Sequence, residues 1–385
     1  MMNNLDAGIE EGVMLAQMDF QRNTIGHHEA AGLRHFECMG DLYSFVAVER
    51  LIERAVGGSI TPTRQAILDK DASRLGGTFG IVKRALESVD ENVHYSPYVE
   101  LFIKIATELK LDPAILQAPD ERWLSDSGVV FQRQLTRELL SRVGREAKAA
   151  KVQAAARRWR EQAWADFNSA SKYMDACFEV SPSLYVLRIN FGFWGLLPVA
   201  VGSQHFSNHA EVIKVAFAGL VKRLATPQFN AIVGHIARLD YGREKGMFFH
   251  AAFFLKGSEA GNAIDWARRI GAIWQLGIPA AVTAGTESVS LIGRGAWTAC
   301  NWVFFEQQWT KAPVVELVDG KKRADRLLLR QTVLPYFALS SLFGKVKVKP
   351  RERVFLRGTM PKPGASKLGR RVRQKGAKTP MEERS

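Results

Sequence analysis

This chain is poor in the features that mark disulfide scaffolds, membrane spans and nucleotide-binding loops. It has three cysteines in 385 residues, Cys38, Cys177 and Cys300. An odd number at wide spacing argues against a disulfide framework and for a reducing compartment. The longest uncharged apolar run, Ile189 to Gly202, is shorter than the roughly 20 residues a spanning helix needs, and reads as a core strand and loop. Met1 to Glu11 is acidic and lacks the basic-then-apolar order of a secretory signal, so a cytoplasmic protein with no membrane partner is expected. The glycine-rich stretch 285–295 lacks the lysine and Ser/Thr pair of a phosphate-binding loop, and reads as a turn-rich loop. No internal repeat is present.

Acidic residues are scarce at one end. From Lys345 to Ser385 there are 14 Lys/Arg against 3 Asp/Glu, a net +11, whereas the other 344 residues carry +3. A basic tail on a near-neutral body points to a polyanionic partner, with nucleic acid the leading candidate because phosphates release counterions when neutralised. A solubilising tail with no specific partner is the plainer alternative. Hydrophobic content of 46% and charged content of 24% are those of a soluble globular protein, long enough for two domains and a tail.

The spacing of apolar residues predicts a mostly helical region over 1–180. Leu42 to Ala55 and Pro97 to Leu111 are helices, the second opened by a proline and closed by Asp112-Pro113. Ser141 to Arg160, rich in alanine with 7 Lys/Arg against 1 acidic residue, reads as one helix, either along a phosphate backbone or a solvated connector. His27, His28, His35 and Cys38 match no trusted zinc spacing. From Ser181-Pro182 the pattern changes to strand (Leu184–Asn190), helix (Asn208–Leu224), two strands (Ala231–Asp240 and Met247–Leu255), helix (Ala263–Trp274) and short strands (Ala280–Val282, and near Trp297–Phe305). Arg323–Phe343 is a helix containing Pro335. That order implies an α+β fold with an antiparallel, ferredoxin-like sheet over 181–360, helices on one face, and a disordered basic tail over 361–385.

The chemistry concentrates in Arg238 to Leu255. Alternation on a strand puts Arg238 and Asp240 on one face, and Phe248 and His250 on one face of the next strand. If the hairpin is regular, Asp240 approaches His250, and an imidazole with a carboxylate would suit Mg²⁺ or Mn²⁺. On residue types alone, a satisfied core histidine and a structural Arg238–Asp240 ion pair fit better than a metal. On the same terms, Tyr336 packs beside Val333 and Ser340 in a helix kinked by Pro335.

The segments Arg238-Leu239-Asp240-Tyr241-Gly242, Lys245-Gly246, His250, Phe253-Phe254, Ile264 to Trp274, Thr283-Ala284-Gly285, Asn301, Tyr336 and Arg353 to Gly358 fall in a characteristic order. On these, Leu184 to Pro361 resembles the inovirus-type (filamentous phage and prophage) replication protein family with a YagK/YfjJ-like C-terminal domain. Tyr95 to Phe102 extends the likeness loosely into the first half. That family is similar to rolling-circle initiators of the HUH type. The resemblance implies a divalent metal held by His250 and Asp240, with Tyr336 attacking a DNA phosphodiester to form a 5′-phosphotyrosine. It implies DNA contacts by Arg238, Lys245, Arg294, Lys345, Lys347 and Arg353, an origin presented as single-stranded or hairpin DNA, and host replication proteins as further partners.

This sequence departs from the pattern at Phe248, where the family has its first histidine, and at Leu339, where it has a lysine. His235, on a regular strand, faces away from Asp240. Three functions follow as expectations: an initiator that nicks, a degenerate DNA-binding relative of the same descent, or an RNA- or protein-binding module acting through the tail.

Overall fold

The computed structural model describes residues 41–56, 77–111, 126–193, 204–242, 246–282, 295–299, 317–342, 344–348 and 353–361. The elements run α1 (Asp41–Val56), α2 (Gly77–Glu87), β1 (Val93–Tyr95), α3 (Pro97–Glu108), α4 (Asp126–Ala147), α5 (Ala150–Val180), β2 (Ser183–Phe193), α6 (Gln204–Leu224), β3 (Ile232–Gly242) and β4 (Gly246–Lys256). They continue α7 (Ala263–Val282), β5 (Gly295–Ala299), β6 (Leu317–Asp319), α8 (Arg323–Ala338), β7 (Gly344–Val346) and β8 (Phe355–Arg357). The tail, the histidine cluster at 27–38 and the loop 285–294 lie outside the described residues.

The protein is mixed helix and sheet, as expected. Its larger sheet is antiparallel in the order β5-β2-β4-β3-β8, with β6 also on β2. The central strands β2, β3 and β4 carry apolar side chains on both faces, and both faces are buried. Tyr185, Leu187, Ile189, Phe191, Leu239, Phe249 and Phe253 join one core with α6 and α7. Phe217 of α6 stacks on Phe249 at 4.2 Å, and Trp274 of α7 tilts against Phe191 at 5.2 Å. Leu184, Val186, Ile236, Ala252 and Phe254 join a second core with α5 and α8. The expectation of helices on one face is therefore corrected. Both faces are covered, because β2 and β4 are apolar on both.

Two other expectations change. Ser141–Arg160 is not one helix: α4 ends at Ala147 and α5 starts at Ala150, across an extended Ala149 with no side-chain cap. The chain thus turns at alanines, without the capping residue that normally marks a boundary. Ala280–Val282 is not a strand but the last turn of α7, where alanine's helix preference prevails. Pro335 sits inside α8, which gives way to a 3₁₀ turn at Leu339–Leu342 instead of running to Phe343. A second sheet, β1 with β7, joins the helical half to the C-terminal strands.

Close approach explains one glycine. A Cβ on Gly234 would lie 2.5 Å from Tyr173 Oη and 2.8 Å from Cys177 Sγ, both on α5. Tyr173 Oη accepts the His235 N–H at 3.2 Å, so α5 is seated directly on the β3 backbone. Gly234→Ala is expected to lower stability by about 1–3 kcal/mol through overpacking, measured by urea unfolding. An unchanged midpoint would show that α5 can yield.

Candidate functional site

The sheet face under α5 and α8 changes character along its length. One end is apolar. At the other, Arg188, Asn190, Arg238, Asp240 and His250 are all buried, with His250 and Arg238 at 0% exposure. Ladder pairing builds this patch. Asn190 of β2 is opposite His250 of β4, which is opposite Arg238 of β3, which is opposite Phe355 of β8. The expected approach of Asp240 to His250 is thereby corrected: Asp240 is opposite Phe248, and the direct neighbour of His250 on β3 is Arg238. The register fixes this, since a hairpin closing Gly242 onto Gly246 makes partner numbers sum to a constant.

Arg238 is held on two sides. Its Nη2 donates to Gly344 O of β7 at 3.0 Å, and its Nε lies 3.7 Å from Asp240 Oδ2. Asp240 Oδ1 accepts the Tyr241 N–H at 2.9 Å. The structural ion pair is thus present. Tyr336 of α8 comes down on the same patch. Its ring meets that of His250 edge-on, with centroids 4.5 Å apart, and Phe337 lies 4.7 Å from the same imidazole. Tyr336 is 1% exposed. Residues 86 apart in sequence, His250 and Tyr336, are therefore in contact. Phe248 and Leu339 are buried apolar residues here.

Asp240 and His250 do not by themselves make a metal centre. Arg238, a permanent cation, stands opposite His250 and 3.7 Å from Asp240, so the carboxylate already faces a guanidinium. Among the described residues no three His, Cys, Asp or Glu cluster as metal ligands.

Of the expected DNA contacts, Arg238 is buried and acts as a tie. Lys245 and Arg294 lie outside the described residues. Lys345 of β7 sits with its Nζ 4.0 Å from the Trp159 ring centroid. Burial, then the nearby Arg238, holds its pKa below the ordinary lysine value, against the pull of Asp166. Lys347 follows β7, its N–H donating to Asn92 O, and Arg353 is exposed ahead of β8. Sequence reasoning missed Arg188 and Asn190. Their signal was two polar residues at alternate positions in the apolar run Leu184–Phe193. His235 lies on the opposite face, against Phe217 and Phe253, where burial pushes its pKa down to about 4.

No protein-family model, curated protein or solved structure matches this chain. No helix among the described residues is long and apolar enough to cross a membrane.

Two outcomes test these placements. Arg238→Ala strands Asp240 in the core and is expected to cost about 3–5 kcal/mol in urea unfolding, whereas the Arg238→Met, Asp240→Leu double variant loses less. The reverse ranking would mean that the pair is not what holds this end of the sheet. His235 has a folded pKa below the 6.5 of an unfolded histidine, so the unfolded chain takes its proton first. Its stabilising effect is full above about pH 6.5 and is lost as pH falls towards about 4. His235→Leu should flatten the fall in thermal midpoint between those values, and a slope equal to that of the parent would refute the assignment.

Proposed function

We propose that this protein is a DNA-binding protein of the phage- or prophage-type replication-initiator class, built on a ferredoxin-like, HUH-type core. The observation that carries this reading is the seating of Tyr336 against His250 on an inner strand of a β-α-β-β-α-β unit. Three further features support it. The strands of that unit, β2, β3, β4 and β5, lie in the order fourth-first-third-second, with both intervening helices on one face. Arg238 stands opposite the histidine on the neighbouring strand, with Asp240 paired to that arginine by charge. The net charge of +14 is concentrated towards one end. The reading sets the protein in the bacterial cytoplasm, alongside host replication proteins.

In the nicking form of this reading, Tyr336 Oη attacks a phosphodiester phosphorus. A P–Oη bond forms as the P–O3′ bond breaks, the phenolic proton is lost, and the 3′ oxygen leaves as a hydroxyl. A divalent ion at His250 and Asp240 belongs to that form. Phe248 and the Arg238 guanidinium favour the second form, a degenerate relative that binds DNA and does not cut it.

The test is incubation of the full chain with labelled single-stranded and hairpin DNA, with Mn²⁺, Mg²⁺ or EDTA, followed by denaturation. A metal-dependent covalent adduct that disappears in Tyr336→Phe, with binding retained, establishes the nickase. Salt-sensitive binding without an adduct establishes the degenerate form. Absence of binding to either DNA overturns the proposal.

A further inference from the structure

Outside the patch beneath α8, the helical half carries a groove of about 600 Å³ between α3 and the α4–α5 junction, closed at one end by β1. Its volume lies within the roughly 300–1,000 Å³ of small-molecule sites. His94, Tyr95, Glu100, Lys104, Lys151 and Trp159 define it. The Trp159 indole is fixed by donation to Leu342 O at 3.0 Å and by the Lys345 ammonium over its ring. A half-buried ring held in this way is a platform for a flat π-system.

The two carboxylates lining the groove are already engaged. Glu100 accepts the Tyr95 N–H at 3.0 Å and faces His94, and Glu146 takes Arg142, while Lys104 of the lining pairs with Glu108 outside it. Among the described residues, no ion pair takes up Lys151, on the groove wall, or Lys347, whose charge reaches His94 at the groove end. The surplus is positive, beside the Trp159 indole.

Continuity supplies the occupant. β7 pairs with β1, which presents His94 at the groove while the Tyr95 ring turns into the core against Phe45. The same strand receives Arg238 at Gly344, and its next residue, Lys345, covers Trp159. Groove and candidate site therefore share one short strand. We propose that this groove binds an unpaired stretch of single-stranded DNA adjoining the segment engaged at the His250–Tyr336 site, with Trp159 stacking a base and Lys151 and Lys347 meeting phosphates. The inference rests on the DNA-binding reading above. Duplex DNA hides its base faces, so the groove selects the single strand.

The test measures binding of the full chain to a fluorescein-labelled thymidine dodecamer, a duplex of the same length and a uridine dodecamer, across a salt series. Lys151→Glu, Lys347→Glu is compared with Lys222→Glu, Arg223→Glu, which makes the same change in net charge on α6, remote from the groove; circular dichroism and thermal midpoint check that each folds. The expected result is at least about tenfold weaker thymidine binding by the groove variant, with a salt slope shallower by roughly 1.4 for two lost phosphate contacts. The α6 variant should stay near the parent and the duplex should show a smaller loss. Trp159→Phe, which keeps a ring, should retain binding better than Trp159→Ala. Equal losses in the two charge variants, no loss in the groove variant, or tighter uridine than thymidine binding would overturn the groove assignment and leave the parent reading standing. Failure of the parent protein to bind any of the three would overturn both.

Discussion

Arg238 has no exposed surface, and a guanidinium does not shed its charge inside a protein. The surrounding fold therefore has to supply acceptors. Asp240 offers a carboxylate on the same strand face, and Gly344 offers a carbonyl from a strand more than a hundred residues later. That second acceptor holds much in place. β7 is three residues long and pairs with β1 of the helical half, so the guanidinium ties the polar end of the large sheet to the small one. Stranding either charge in a medium this dry is costly, whereas the intact pair adds little over apolar residues of equal size. Such a pair is better understood as setting which elements meet than as a source of stability.

The same charge governs what the patch beneath α8 can do. A carboxylate and an imidazole invite a divalent ion only when their own charge is available to it. Here the carboxylate faces a guanidinium, and a second arginine lies on the same face. The carboxylate is therefore already occupied by internal structure.

Much of the sheet was legible because period-2 alternation reports directly on faces. The strands at Leu184, Ala231 and Met247, and the shared faces of Arg238 with Asp240 and Phe248 with His250, follow from the pattern alone. What alternation does not carry is register. Which residue of β3 stands opposite His250 depends on the turn, so Arg238, not Asp240, took that place. The α4–α5 break was illegible for a different reason: it occurs among alanines, with no capping residue to announce it. Covering of the second sheet face was hinted at by β4, apolar on both faces save for His250, which is the mark of a strand buried on both sides. The three-residue strands β1, β6, β7 and β8 carry too few alternations to declare themselves. Tyr336 was singled out by the family likeness; its own surroundings in sequence describe a packed helix.

That packed helix sets the condition on any chemistry at Tyr336. α8 is held by apolar contacts through Leu329, Val333, Leu334 and Phe337, and by Asp175, which reaches Arg326 and Arg330 at 2.7 and 2.5 Å. The ion pairs are about one-third exposed and are weakened by solvent and salt, so the apolar seam is the main hold. The backbone hydrogen bonding is thinnest at the end that matters. Pro335 contributes no N–H to the last turn, and the chain passes into a 3₁₀ turn from Leu339. Tyr336 is 1% exposed, so chemistry at its hydroxyl would require that turn to lift. Lifting it would uncover His250, whose ring meets both Tyr336 and Phe337. Any exposure of Tyr336 would thus expose the His250 imidazole with it, and Pro335 puts the missing backbone donor within the turn that would have to move.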